Sequence, residues 1–172
     1  ELLEQCLYPV TPKVKIGEDA AFTYPCLLAA ESLAYVDGCL YHYRNNAQSM
    51  TAAFDPHLTE TIFIPLDILR TYFDTDKRAL FAQYQMYAVY LLQLWVRNQA
   101  SLDCDLDRKG LRQSCARVCQ NQELRALLAS VPGALPRQVA VAVHAVQQQK
   151  PGQLYLLIKA WNLYYKLRNG RA

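Results

Sequence analysis

Tyr84-Gln85-Met86-Tyr87-Ala88-Val89-Tyr90-Leu91-Leu92-Gln93-Leu94-Trp95 is the stretch on which the fold turns. It contains no proline or glycine, and its apolar residues recur at helical spacing. Tyr84, Tyr87, Tyr90, Leu91, Leu94 and Trp95 leave little polar face. A helix over 76–99 is therefore expected to be the buried centre of a helical bundle. Helical periodicity continues on both sides of it from about position 56 to the end. It predicts further helices over 56–73, 107–120, 122–130, 136–149 and 152–169. The breaks fall at Asp74-Thr75-Asp76, Ser101-Leu102-Asp103 and Val131-Pro132-Gly133. Pro56 suits a first helical turn, with Asp55 as its cap, and Asp107 suits the same role further on.

The region before residue 53 has a different character. Residues 1–17 read as a helix end followed by the irregular Tyr8-Pro9-Val10-Thr11-Pro12. Gly17 gives the backbone freedom to turn into Glu18-Asp19. A helix from Glu18 to about Ala30 then carries Phe22, Cys26, Ala29 and Ala30 on one face. Its first-turn acids suit the helix dipole, and Pro25 predicts a kink or a late start. Leu33–Val36 and Cys39–Arg44 are β-rich and separated by Asp37-Gly38. They read as a hairpin or as one strand with a glycine bulge. Residues 45–51 are polar and loop-like.

The chain has 172 residues, 52% of them hydrophobic and 19% charged, which is globular composition with enough material for a core. A net charge of +3 makes no demand for a nucleic-acid partner. No run of 18 apolar residues exists to cross a membrane. The chain starts without methionine, inside what reads as a helix, and is expected to be a piece of a longer protein. Its six cysteines form no C-x-x-C and no zinc spacing with histidine. They read as reduced, small apolar residues of a cytoplasmic protein.

Several motifs invite chemistry and do not sustain it. Asp103-Cys104-Asp105-Leu106-Asp107 lacks the preceding strand of a metal-binding Asp-x-Asp. As a calcium loop it has Arg108 and Ser114 where glycine and glutamate belong. His57 and His144 have no partner at metal spacing, so no metal ligand is assigned in this chain. Tyr72, Tyr84, Tyr87 and Tyr90 read as core and interface rings.

Glu18-Asp19 is the densest chemical feature, either as dipole-matched helix start or as a carboxylate base acting on a hydroxyl. Together, Ile16-Gly17-Glu18-Asp19, Leu33-Ala34-Tyr35-Val36-Asp37, Leu40-Tyr41-His42-Tyr43-Arg44 and Ser49 resemble the C-terminal end of a family 2 glycosyltransferase domain of the GT-A type. The resemblance covers residues 1–52. It implies a short α/β remnant of a GT-A catalytic domain over 1–52, and with the helical periodicity beyond it the expected fold is mainly α, with a helical C-terminal domain over 53–172. It also implies an inverting sugar transfer from a nucleotide-sugar donor to a glycan or lipid-linked acceptor. In that reading Asp19 is the base, Glu18 shapes the acceptor pocket, and His42, Arg44 and Ser49 face the donor diphosphate. Cys39 departs from the family's usual proline. The family's nucleotide-binding half and its metal-binding Asp-x-Asp lie upstream of the matching region. The divalent metal, Mg or Mn, would thus have its ligands outside this chain, and the chain alone is expected to be inactive.

The alternative reading is a non-enzymatic helical module that docks a partner protein or a membrane. Residues 154–171, rich in Leu, Trp and Tyr and ending in basic residues, are the candidate for contact with the inner face of the membrane.

Overall fold

The computed structural model describes residues 14–42, 53–73 and 78–169. It is mainly helical: α1 (Glu18–Ala29), α2 (Leu58–Thr61), α3 (Ile64–Leu69), α4 (Arg78–Gln99), α5 (Arg108–Gln120), α6 (Gln122–Leu128), α7 (Arg137–Gln147) and α8 (Pro151–Asn169). From position 53 onward the helical periodicity translates almost directly into helices. The exception is the expected helix over 56–73, which breaks into α2 and α3. Pro65, at the start of α3, has no N–H to give and cannot continue a preceding helix. The break at 74–76 lies outside the described residues.

Caps explain several boundaries. The Gly110 amide donates to Asp107 Oδ1 at 2.6 Å, which opens α5 as the sequence implies. Asn121 ends α5 and starts α6, accepting from the Leu124 amide at 2.9 Å. Asp55 Oδ1 accepts from the His57 amide at 2.9 Å, so it caps the turn just before α2 and not a helix starting at Pro56. Helix α7 stops at Gln147, short of the expected 149, because Gln149 takes a left-handed φ of 50°. The Lys150 amide then reaches back to Ala145 O and the Gln149 amide to Val146 O, closing a Schellman end.

α4 is the hub, lying against α2, α6, α7 and α8; α7 and α8 pair across the link 148–150, and α5 rests on α8. Trp95, Leu91, Leu92, Tyr84 and Ala88 of α4 are fully buried, as a helix apolar all round should be. Its polar groups are mostly matched. Trp95 Nε1 donates to Thr59 Oγ1 at 2.9 Å, and the buried Gln85 amide donates to Leu127 O at 2.9 Å. The Tyr84 hydroxyl donates to Leu66 O. Tyr90, expected inside with the others, is instead 51% exposed.

The first segment departs furthest from expectation. α1 runs on through Pro25 to Ala29, with Pro25 itself buried. Ile16, Ala20, Tyr24 and Leu28 pack on the same core as α4, so residues on both sides of position 52 share one core. The expected strands at 33–36 and 39–44 do not form among the described residues; 31–42 is irregular and exposed throughout. A strand exists only through a neighbour that completes its ladder, and nothing in the described chain offers an edge to it. Of the α/β unit expected over 1–52, the described residues form one helix, α1, and no strand.

Five cysteines, Cys26, Cys39, Cys104, Cys115 and Cys119, are free. Burial, with a smaller contribution from Cys119, pushes the Cys115 thiol up to about 12. Burial pushes Cys119 up to about 11, against a lowering by Arg125. Near neutral pH Cys115 thus stays in the thiol form and not the reactive thiolate. Iodoacetamide on the native chain should therefore modify the exposed Cys39 well before Cys115 or Cys119. Peptide mapping that found Cys115 labelled as fast as Cys39 would contradict this packing.

Candidate functional site

The site is built on a turn that only glycine makes comfortably. Gly17 has φ 87° and ψ 16°, the left-handed region, and its carbonyl accepts from the Ala21 amide at 2.9 Å to open α1. A side chain at Gly17 would also have no room. Its Cβ would run into the Tyr87 hydroxyl and stand 3.1 Å from Pro65 Cγ. α3 and α4 thus hold the turn from behind, and the turn presents Glu18 and Asp19 outward.

Both acids are exposed in the first turn of α1, where unpaired amides and the helix dipole favour negative charge. Asp19 Oδ1 accepts from the Ala20 amide at 2.7 Å. Neither acid has an ion pair among the described residues.

Behind them lies an aromatic cluster that the sequence reading treated only as packing. Tyr87 and Tyr24 meet edge to face with centroids 5.7 Å apart. Tyr87 and Tyr90 stack at 6.2 Å and 25°. Tyr87 is buried, and its hydroxyl has no hydrogen-bond partner among the described residues. Burial raises its pKa, and the nearby charge of Asp19 raises it further, with smaller contributions from Tyr24, Tyr90 and Glu18. The exposed acids thus lie near a cluster of Tyr24 and Tyr87, with Tyr90 stacked on Tyr87. The signal in the sequence was the i, i+3 spacing of Tyr87 and Tyr90 on the central helix. Nothing in the sequence tied that spacing to a turn seventy residues upstream.

The remaining expected site residues are not gathered here. His42 stands exposed at the end of the irregular segment, with no hydrogen bond or ion pair to Glu18 or Asp19 among the described residues. Arg44 and Ser49 lie outside the described residues. No three His, Cys, Asp or Glu side chains among the described residues converge as a metal site. Asp107 is engaged in capping α5. Compared with known proteins, the chain matches no family model, no curated protein and no solved structure.

A pH consequence follows from the tyrosines. Tyr84 is raised by burial first and by Glu123 and Asp67 next, and Tyr87 by burial and Asp19. Unfolded tyrosine ionises near about 10. A folded pKa above that value means that the native state holds its protons longer. The stabilisation is then complete below about pH 10 and is lost as pH rises past it. Alkaline titration followed by near-ultraviolet absorbance should show Tyr84 and Tyr87 ionising only with loss of helical circular dichroism. Ionisation of all tyrosines in one step, with the helices intact, would contradict this arrangement.

Proposed function

We propose that this chain carries the acceptor side of a nucleotide-sugar-dependent glycosyltransferase active site, of the inverting, family 2 kind its sequence resembles. The observation that carries the reading is the acidic turn: two exposed carboxylates, without an ion pair among the described residues, set by a glycine that tolerates no substituent. The helix start has no side-chain cap, and its first-turn acids lie near Tyr87, whose pKa the charge of Asp19 helps to raise.

In the proposed reaction Asp19 takes the proton from an acceptor hydroxyl as its oxygen attacks the anomeric carbon of the donor sugar. The bond from that carbon to the diphosphate breaks, the diphosphate leaves with the electron pair, and configuration inverts. Glu18, beside Asp19, orients the acceptor, and Tyr90 offers a ring face to a sugar. His42, Arg44 and Ser49 are the groups proposed to meet the diphosphate, for which guanidinium has the matching planar fork. The divalent metal implied by the resemblance finds no donor set among the described residues, and no step is assigned to it here.

A second feature supports the reading. Between α1 and residue 42, Leu33, Tyr35, Val36, Leu40 and Tyr41 are all exposed, Tyr35 by 89% and Tyr41 by 82%. Apolar side chains left in water in such number belong against something. In this proposal they are strands whose sheet is supplied by the rest of a catalytic domain. The test uses the longer protein and a panel of nucleotide sugars, followed by transfer to acceptor and by saturation-transfer NMR of the donors. Turnover that depends on Asp19 is expected. Failure to bind or turn over any nucleotide sugar would end the proposal.

A further inference from the structure

All 15 acidic residues of the chain lie at or before Glu123. Residues 124–172 hold seven lysines and arginines and no acid, a formal charge of +7, which leaves −4 on the preceding 123 residues. The modest net charge of +3 conceals this division. The cationic third contains α7 and α8.

α8 is apolar on two opposite sides. One side faces the core: Leu154 and Ile158 are fully buried, and Trp161 and Tyr165 pack beside them. The other side faces solvent, with Leu156 66% exposed and Leu163 and Leu167 57% exposed each, and with the small Ala160 between them. Positions 156, 160, 163 and 167 fall in one stripe along a helix. Lys159 and Lys166 border the stripe on one edge, and Tyr164 and Arg168 on the other. Next to it, an open groove between α7 and α8 is lined by Val141, Leu156 and Leu157 and rimmed by Arg137 and His144.

We propose that this outer face of α8, with the adjoining edge of α7, docks on a bilayer surface bearing anionic lipid headgroups. The argument is charge complementarity joined to shape. The leucines lie on a convex stripe, suited to sinking into the headgroup–acyl boundary, while flanking lysines extend their stems and keep their ammonium groups at headgroup level. A second copy of the chain pairing through the same face would set Lys159, Lys166 and Arg168 against their own counterparts, and α7 and α8 themselves carry no acid to relieve them. No described helix is long and apolar enough to cross a membrane, so the contact is interfacial. The inference stands independently of the sugar-transfer reading.

The test is co-sedimentation of the 1–172 chain with vesicles of phosphatidylcholine, alone or mixed with phosphatidylglycerol, at low and physiological salt. Binding to the mixed vesicles is expected, weakening with salt, with little binding to phosphatidylcholine alone. Lys159→Gln together with Lys166→Gln should lower it about 25-fold at low salt, about fivefold for each cation near an anionic surface. Leu156→Ser with Leu163→Ser preserves every charge and should lower it at least about tenfold, since each leucine loses its apolar insertion. These four side chains are exposed, and far-ultraviolet circular dichroism checks that the variants remain helical. Three results would overturn the proposal. One is no sedimentation with mixed vesicles at low salt. Another is equal binding by the double serine variant, which would make the face only a diffuse cationic patch. The third is leucine-dependent self-association, or capture of a protein partner, by a chain that leaves vesicles unbound.

Discussion

If Asp19 is the base of the proposed transferase, Asp19→Asn is expected to lower sugar transfer by about 100- to 10,000-fold, the usual contribution of a positioned general base. That corresponds to about 3–5 kcal/mol of barrier. The substitution keeps shape and size and removes only the proton-accepting charge. The amide oxygen can still accept from Ala20 N, as the carboxylate does at 2.7 Å. Asp19 is exposed and unpaired among the described residues, so stability should change by no more than about 0.5 kcal/mol. The informative pattern is lost turnover with unchanged donor affinity and unchanged melting. Turnover close to wild type would remove Asp19 from the base role. A parallel collapse of folding would mean that the carboxylate serves only the helix start.

Trp95→Ala should cost about 3–5 kcal/mol, the range for deleting a large aromatic side chain from a packed core. Trp95 is fully buried on α4, and its Nε1–H donates to Thr59 Oγ1 at 2.9 Å, which ties the central helix to α2. Thr59 is only partly buried, so its hydroxyl can turn to water when the partner goes, and the cavity dominates the loss. Domains of this size are stable by about 5–15 kcal/mol, so the variant should sit near the edge of folding. Urea unfolding followed by circular dichroism measures this as a lower midpoint at constant slope. A loss under about 1 kcal/mol would mean that Trp95 is not the centre of the core.

What the sequence disclosed follows from which interactions are local. Helices α4 to α8 were legible because each makes its own hydrogen bonds and marks its buried face at a spacing visible within a dozen residues. Caps such as Asp107 are equally local. Pro65 was legible in principle: its ring forbids the continuous helix that periodicity alone suggested over 56–73. The segment 33–42 shows the opposite limit. Its short apolar runs on either side of Asp37-Gly38 are strand-like, but pairing is decided by chain that is not its neighbour in sequence. In the candidate site, the acids were legible as a pair on a helix start. The Tyr87 hydroxyl behind Gly17 was not, because that contact joins residues far apart in the chain. His42, Arg44 and Ser49 were named from the resemblance, and geometry among the described residues adds nothing to them.

The close approach of Tyr87 to Gly17 bears on how this protein could be recombined. A chimera that joins the first fifty residues of one homologue to the helices of another would set an unmatched residue of the central helix against a turn with no spare volume. Crossovers that keep the acidic turn and the central helix from a single parent should stay functional more often than those that separate them. The exchangeable unit is thus larger than the apparent border between an N-terminal segment and a helical remainder.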